Sequence, residues 1–141
     1  MRAHALEIVG GRAVLGRDAT TGRFMIEAIR RGLPTRAVDH LIESGRLNAS
    51  EIDAVVLPRK TLSHRRQIGT LTADQSDRLM RAARVIAAAE ETFGSQEKAG
   101  IWLRRPTSAL GGDSPLSLLD TSEGALQVEA LLGAIDHGIA A

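Results

Sequence analysis

The chain of 141 residues contains no cysteine and no tyrosine, and it has only one tryptophan and two phenylalanines. Without cysteine, the protein forms no disulfide and uses no thiolate as a nucleophile or metal ligand. Aromatic residues make up 2% of the chain, although apolar residues in total make up 43%. The core must therefore consist of alanine, leucine, valine and isoleucine, a composition that suits closely packed helices.

No run of 18 apolar residues occurs, so no transmembrane helix is predicted. The opening stretch is broken by charges and glycines and lacks the pattern of a signal peptide. The absence of cysteine fits a reducing compartment, so the chain is expected to be cytoplasmic.

Patterns for catalysis are also absent. The four histidines are scattered, with no pair three or four residues apart, which argues against a metal site. There is no G-x-S-x-G motif, no local Ser/His pair and no phosphate-binding Gly-Lys motif. Glu90 and Glu91 lie late in a helical pattern, where we interpret them as part of a solvated face. We therefore predict no catalytic residue, no metal and no cofactor.

The net charge of +1 hides an uneven distribution along the chain. Residues 1–66 contain 12 Lys and Arg against 7 Asp and Glu, whereas residues 67–141 contain 6 against 10. A basic first half and an acidic second half indicate two different partners. Chance asymmetry accounts for the same counts equally well.

Apolar spacing predicts a mainly all-α chain from residue 22 onwards. Two capping boxes mark helix starts, Asn48 with Glu51 and Thr72 with Gln75, and the strongest helical periodicity follows the second. Residues 1–21 are predicted as an arm, either a short hairpin around Gly10 or a segment that orders only on a partner. The other predicted units are residues 22–71 and 72–141.

Residues 50–67 combine a short helix, a tight turn and a basic helix, "RKTLSHRR", which is the plan of a helix-turn-helix motif. If Leu62 faces the core, a rotation of 100° per residue turns several polar side chains outward. We predict that these reach base edges: Lys60, Ser63, His64 and Gln67. The flanking arginines are predicted to contact phosphates: Arg59, Arg65 and Arg66. The alternative is a solvated basic helix without a nucleic-acid partner.

The stretch "WLRRPTSALGGDSPLSLLD", residues 102–120, is rich in turn-forming residues between two helical segments. It is either a plain structural connection or a rigid recognition surface in which Trp102 and leucines act as anchors. A lone tryptophan in an aromatic-poor helical domain is more often part of the core.

Two long segments resemble a known family. The run from "ADQSDRLMRAARV" through "FGSQEKAGIWLRRPTSALGGDSPLSLLDTSEGALQVEALLGAIDHG" is similar to the C-terminal domain of the MbcA/ParS/Xre antitoxins. The preceding "GLPTRAVDHLIESGRLNASEIDAVVLPRKTLSHRRQIGTLT" resembles their Xre/Cro-like helix-turn-helix domain. Together they span roughly residues 32–138.

The resemblance implies a non-enzymatic antitoxin of a type II toxin-antitoxin system. Its partner would be a cognate RES-domain toxin that consumes NAD⁺, and the complex would bind operator DNA and repress its own operon. Such antitoxins commonly dimerise, so a homodimer within a larger complex is expected. The C-terminal domain would contact the toxin, and the C-terminal end would lie at the toxin's active-site entrance.

On this basis the residues expected to contact the toxin fall into two groups. The first lies in the turn-rich stretch: Trp102, Leu110, Gly111, Gly112, Ser114, Pro115 and Leu116. The second is the end of the chain, which would act as a short plug, although a frayed terminus is the alternative: His137, Gly138, Ile139, Ala140 and Ala141.

One departure concerns the turn before the basic helix. The usual turn of the family resembles "GIS", whereas this chain has Val56, Leu57 and Pro58 at that place. Which side chains of the basic helix face the DNA groove is therefore open.

Two alternative functions also remain at this point. One is a stand-alone transcription regulator whose C-terminal domain serves only dimerisation, and the other is a toxin inhibitor that does not bind DNA.

Overall fold

The computed structural model describes residues 2–16 and 22–138, and this part of the chain folds into nine α-helices and two short 3₁₀ turns. The helices are α1 (Arg2–Ile8), α2 (Gly11–Leu15), α3 (Gly22–Arg31), α4 (Arg36–Glu43), α5 (Ala49–Val55), α6 (Arg59–Ile68), α7 (Ala73–Phe93), α8 (Gln96–Arg104) and α9 (Ser122–Asp136). The 3₁₀ turns, Ser108–Leu110 and Leu116–Leu118, lie between α8 and α9. The expected all-α fold is confirmed. None of these helices is long and apolar enough to cross a membrane.

Helix α7 forms the centre of the fold. Helices α1, α3, α8 and α9 all pack against it. Eleven of its 21 residues are buried, and five of these are alanines, whose small side chains allow the neighbouring helices to approach closely. The strong periodicity after Thr72 therefore reflects a helix that is covered on several sides rather than on one.

The described residues of the N-terminal arm, 2–16, form two helices, so the hairpin alternative for this arm is wrong. Helices α1 and α2 are joined at Gly10, whose φ of 108° lies in the left-handed region. Ala5, Ile8 and Val9 are fully buried, and their spacing places them on one side of a helical turn. Packing of this side against α7 favours a helix over a strand pair, which would have no second sheet to cover it.

The predicted capping boxes are confirmed at both sites. Asn48 accepts a hydrogen bond from the backbone N–H of Glu51, whose carboxylate accepts from the N–H of Asn48 in return. Thr72 and Gln75 form the same reciprocal pair at the start of α7. At the start of α9 the side chain of Thr121 caps the helix by accepting from the N–H of Gly124.

Glu90 is buried, so the prediction of a solvated face is wrong at this position. Its carboxylate accepts hydrogen bonds from Arg46 Nε at 2.7 Å, from Arg46 Nη2 at 3.0 Å and from His4 Nε2 at 2.8 Å. The carboxylate therefore joins α7 to α1 and to the loop between α4 and α5. Glu91, the next residue, is exposed as expected.

This network lowers the pKa of Glu90. Burial alone would raise the pKa, but the hydrogen bonds and positive charges of Arg46 and His4 outweigh burial, and the pKa falls below its ordinary value of 4.5. Because the pKa is lower in the folded than in the unfolded state, ionised Glu90 contributes stability that is complete above about pH 4.5. That contribution is lost as the pH falls through the folded-state pKa.

The buried network makes a testable prediction. Replacing Arg46 with Met leaves the Glu90 carboxylate buried without its main partner, and we expect the free energy of unfolding to fall by about 3 kcal/mol at pH 7. Urea unfolding followed by circular dichroism measures this change.

Two further variants serve as controls. Arg23→Met removes an exposed pair with Glu27 and should change the free energy of unfolding by less than about 0.5 kcal/mol. The double variant Arg46→Met/Glu90→Met removes both charges and should recover most of the loss. Equal stability of Arg46→Met and the wild-type chain would contradict the proposed role of this pair.

Candidate functional site

The turn between α5 and α6 forms without glycine. The backbone N–H groups of Val56 and Leu57 both donate to the carbonyl of Ile52, at 2.9 and 3.1 Å. Val56 and Leu57 are buried, and no non-glycine residue in the described ranges has a positive φ. Pro58 occupies the N-cap position, immediately before Arg59, the first residue of α6. The departure from the family turn is thus accommodated by ordinary backbone geometry.

Asp53 supplies the cap that Pro58 lacks. Pro58 has no side-chain hydrogen-bonding group, so the first N–H groups of α6 need another acceptor. Asp53 Oδ1, on α5, accepts from the N–H of Arg59 at 2.8 Å, and Ser50 Oγ accepts from Arg59 Nη2 at 2.8 Å. Two side chains of α5 therefore fix where α6 begins. This link is not apparent from sequence spacing alone.

The predicted reading face of α6 points to solvent. Leu62 is buried, as assumed. The side chains predicted to face away from it are all exposed: Lys60, Ser63, His64 and Gln67. This arrangement leaves a polar surface available to a groove of DNA, with four side chains capable of hydrogen bonding to base edges.

The arginines beside this face differ in their surroundings. Arg59 is bonded to Ser50, as described above, and Arg66 Nη2 pairs with Asp39 Oδ1 at 2.6 Å. Arg65 is half-buried, and its Nε donates to the carbonyl of Thr70 at 2.8 Å. Arg65 therefore supports the C-terminal end of α6, whereas Arg59 and Arg66 remain exposed on the flanks where phosphates would lie.

The turn-rich stretch is closed by its own backbone hydrogen bonds. The N–H of Thr107 donates to the carbonyl of Asp113, and the N–H of Gly112 donates to the carbonyl of Thr107. Gly111 and Gly112 have φ values of 71° and 91°, which favour glycine. At Gly124 a Cβ would overlap the carbonyl oxygen of Leu118. The stretch thus has a fixed shape against α9.

The predicted toxin-contact residues in this stretch divide by exposure. Gly111 and Gly112 are exposed at the tip, and Ser114 is half-buried. Three others are buried and contribute to the core instead of the surface: Leu110, Pro115 and Leu116. Of these predicted contact residues, only the tip glycines are fully exposed to a partner.

Trp102 lies between the core and the surface. It is partly buried, and its ring contacts Phe93 with a centroid separation of 5.2 Å and an angle of 38°. This tilted aromatic pair anchors α8 to the end of α7. The part of Trp102 that is not covered is available to a partner.

At the C-terminal end, His137 and Gly138 are exposed. His137 ends α9 and its Nδ1 donates to the carbonyl of Gly133 at 2.7 Å. Residues 139–141 of the predicted plug lie outside the described residues.

A further ion pair, absent from the sequence predictions, joins the two halves of the fold. Arg104 Nε and Nη2 donate to Glu51 Oε2 and Oε1 at 2.7 and 2.8 Å, and Nη2 also donates to the carbonyl of Arg46 at 3.1 Å. The hydrogen bonds to Glu51 raise the pKa of Arg104. Burial acts to raise the pKa of Glu51, but the bonds from Arg104 and the Asn48 N–H lower it overall. A separation of 53 residues hides this pair in the sequence.

Comparison with known proteins assigns both parts of the molecule. Residues 24–84 match the antitoxin Xre-like helix-turn-helix domain, and residues 88–138 match the antitoxin Xre/MbcA/ParS C-terminal toxin-binding domain. The two matches meet inside α7, whereas the sequence placed the boundary between residues 71 and 72. That boundary remains a prediction.

Several curated relatives carry the same family name. Antitoxin Xre of Yersinia enterocolitica and that of Photorhabdus laumondii are each 34% identical over 128 residues, covering 89% of this chain and 86% of theirs. Antitoxin Xre of Pseudomonas putida is 40% identical over 99 residues, which cover 70% of this chain and 62% of that protein. Over 48% of each chain, a Sphingobium protein named Prs ADP-ribosylating antitoxin is 34% identical. The chain belongs to the Xre family of antitoxins, with a helix-turn-helix domain followed by a toxin-binding domain.

Proposed function

We propose that this chain acts by binding a RES-domain toxin that degrades NAD⁺, and that with the toxin it represses its own operon through α6. The observation that carries the proposal is the match of residues 88–138 to a toxin-binding domain, joined through α7 to a helix-turn-helix with an exposed polar face. The chain would act in the cytoplasm as a homodimer within a larger complex, without catalysis of its own.

Two observations support the choice of toxin and the second partner. The name of the Sphingobium relative includes ADP-ribosylation, a reaction whose donor is NAD⁺. The acidic residues 67–141 would also suit a toxin surface that attracts a negatively charged dinucleotide. The basic α6, in turn, suits the phosphates of an operator.

The first prediction concerns neutralisation. Ala109 is exposed within the first 3₁₀ turn, and Ala109→Glu places a charge beside the predicted contact surface. When the neighbouring toxin gene arrests growth, the wild-type chain should restore growth and Ala109→Glu should restore it poorly. Ala73→Glu, at the exposed first position of α7, is the matched control and should rescue fully.

The plug is tested in the same cells, with the NAD⁺ content as the measurement. A chain that ends at Asp136 should protect cellular NAD⁺ less well than the full chain, because it lacks residues 137–141. If the shortened chain protects NAD⁺ fully, residues 137–141 do not act as a plug, and the alternative of a frayed terminus holds. A neighbouring gene that does not arrest growth would favour the stand-alone regulator.

The second prediction concerns operator contacts. Lys60 is exposed on α6, and Lys60→Ala should weaken binding to the DNA upstream of the reading frame. If Lys60 reaches a phosphate, the slope of log K against log salt should fall by about one. If it reaches a base edge, discrimination against non-operator DNA should fall. Lys98→Ala, on α8, is the control, and equal behaviour of both variants would contradict the assignment of α6.

The third prediction tests Asp53 as a positioning residue for α6. Asp53→Ala removes a negative charge, which by itself would favour DNA binding, yet we expect weaker operator binding because the start of α6 loses its cap. The free energy of unfolding should fall by about 1 kcal/mol. Asp53→Asn retains an acceptor and should bind normally, as should Asp77→Ala on the exposed side of α7. Tighter binding by Asp53→Ala would show that charge outweighs positioning.

A further inference from the structure

An open groove of about 390 Å³ lies between α5 and the second 3₁₀ turn. Its two walls come from different domains. The helix-turn-helix domain contributes Ser50, Glu51, Ala54 and Val55, and the toxin-binding domain contributes Arg104, Ser114, Leu116 and Ser117. The groove is therefore a surface that exists only because the two domains are packed side by side.

The ion pair of Arg104 with Glu51 sets the separation of the two walls. The contact is bidentate, at 2.7 and 2.8 Å, a geometry that fixes orientation as well as distance. The two charged side chains of the groove lining, Glu51 and Arg104, are therefore paired with each other. A free anion such as a nucleotide would find no unpaired cation among these lining residues.

The chemistry of the lining favours a peptide segment. Val55 and Leu116 are buried at the base of the groove, and Ala54 extends this apolar strip. Ser50 and Ser117 are exposed at its edges. Ser50 Oγ accepts from Arg59, so its own proton is available to a carbonyl, whereas Ser117 Oγ donates to the carbonyl of Ser114 and can still accept from an N–H. An apolar side chain flanked by peptide groups would satisfy all these atoms.

We propose that this groove receives a segment of the toxin, so that the toxin contacts α5 of the DNA-binding domain as well as the C-terminal domain. This inference rests on the proposed function. The toxin is the favoured occupant because one wall of the groove belongs to the matched toxin-binding domain, next to the exposed tip of the turn-rich stretch. The surface of this chain that binds the toxin thus extends across the boundary between the two domains.

Ala54 offers a direct test. Ala54 is an exposed α5 residue that lines the groove, and Ala54→Phe fills the groove without altering charge. Titration calorimetry with a catalytically inactive variant of the neighbouring toxin should show at least tenfold weaker binding. Ala49→Phe, also exposed on α5 but outside the groove, should bind within twofold of the wild-type chain. Urea unfolding of both variants checks that each is folded.

Ser117→Phe, on the opposite wall, provides a second variant and should weaken binding to a similar degree. If Ser117→Phe weakens binding and a folded Ala54→Phe does not, the toxin surface is confined to the C-terminal domain and the inference is overturned. The same holds if neither variant changes the affinity. A wild-type chain that fails to bind the toxin would instead overturn the proposed function together with the inference.

Discussion

The fold depends on the burial of α7. Its alanine-rich surface is covered by α1, α3, α8 and α9, so no single neighbouring helix could be removed without exposing apolar area to water. The family matches for the helix-turn-helix and toxin-binding domains meet within this helix, after residue 84 and before residue 88. One rigid element is therefore part of both domains. A helix shared in this way holds α6 and the turn-rich stretch at a defined separation and orientation.

Three polar contacts, one from α7 and two from α8, stabilise the fold in addition to apolar burial. Glu90 binds Arg46, Arg104 binds Glu51, and Gln96 donates to the carbonyl of Ser44 at 2.6 Å. All three contacts join the α4–α5 region to α7 or α8, and all involve charged or amide groups that need specific partners. Apolar packing tolerates small rotations, whereas bidentate and buried hydrogen bonds do not. These contacts therefore define the relative orientation of the two domains, and with it the groove between them.

Much of this structure follows from local patterns, and the exceptions share a physical cause. Capping at Asn48 and Thr72 and the burial of Leu62 involve residues within one turn of each other or a simple helical period, so the sequence predicts them. The burial of Glu90 depends on His4 and Arg46, which lie 86 and 44 residues away. The sequence pattern of α7 by itself does not indicate that α1 covers Glu90. The helical state of the arm has the same origin, because packing against α7 decides it.

The turn-rich stretch at residues 102–120 has a shape that its own contacts determine. Its own backbone hydrogen bonds determine its path. It also packs so closely against α9 that a Cβ at Gly124 would overlap the carbonyl oxygen of Leu118. Most of its leucines are buried, whereas its two glycines, Ser108 and Ser117 are exposed. A rigid loop loses little conformational entropy when a partner binds, so a modest number of contacts suffices for affinity. Under the proposed function, the prolines and glycines that break the helical pattern would serve recognition through shape, with the buried leucines holding that shape in place.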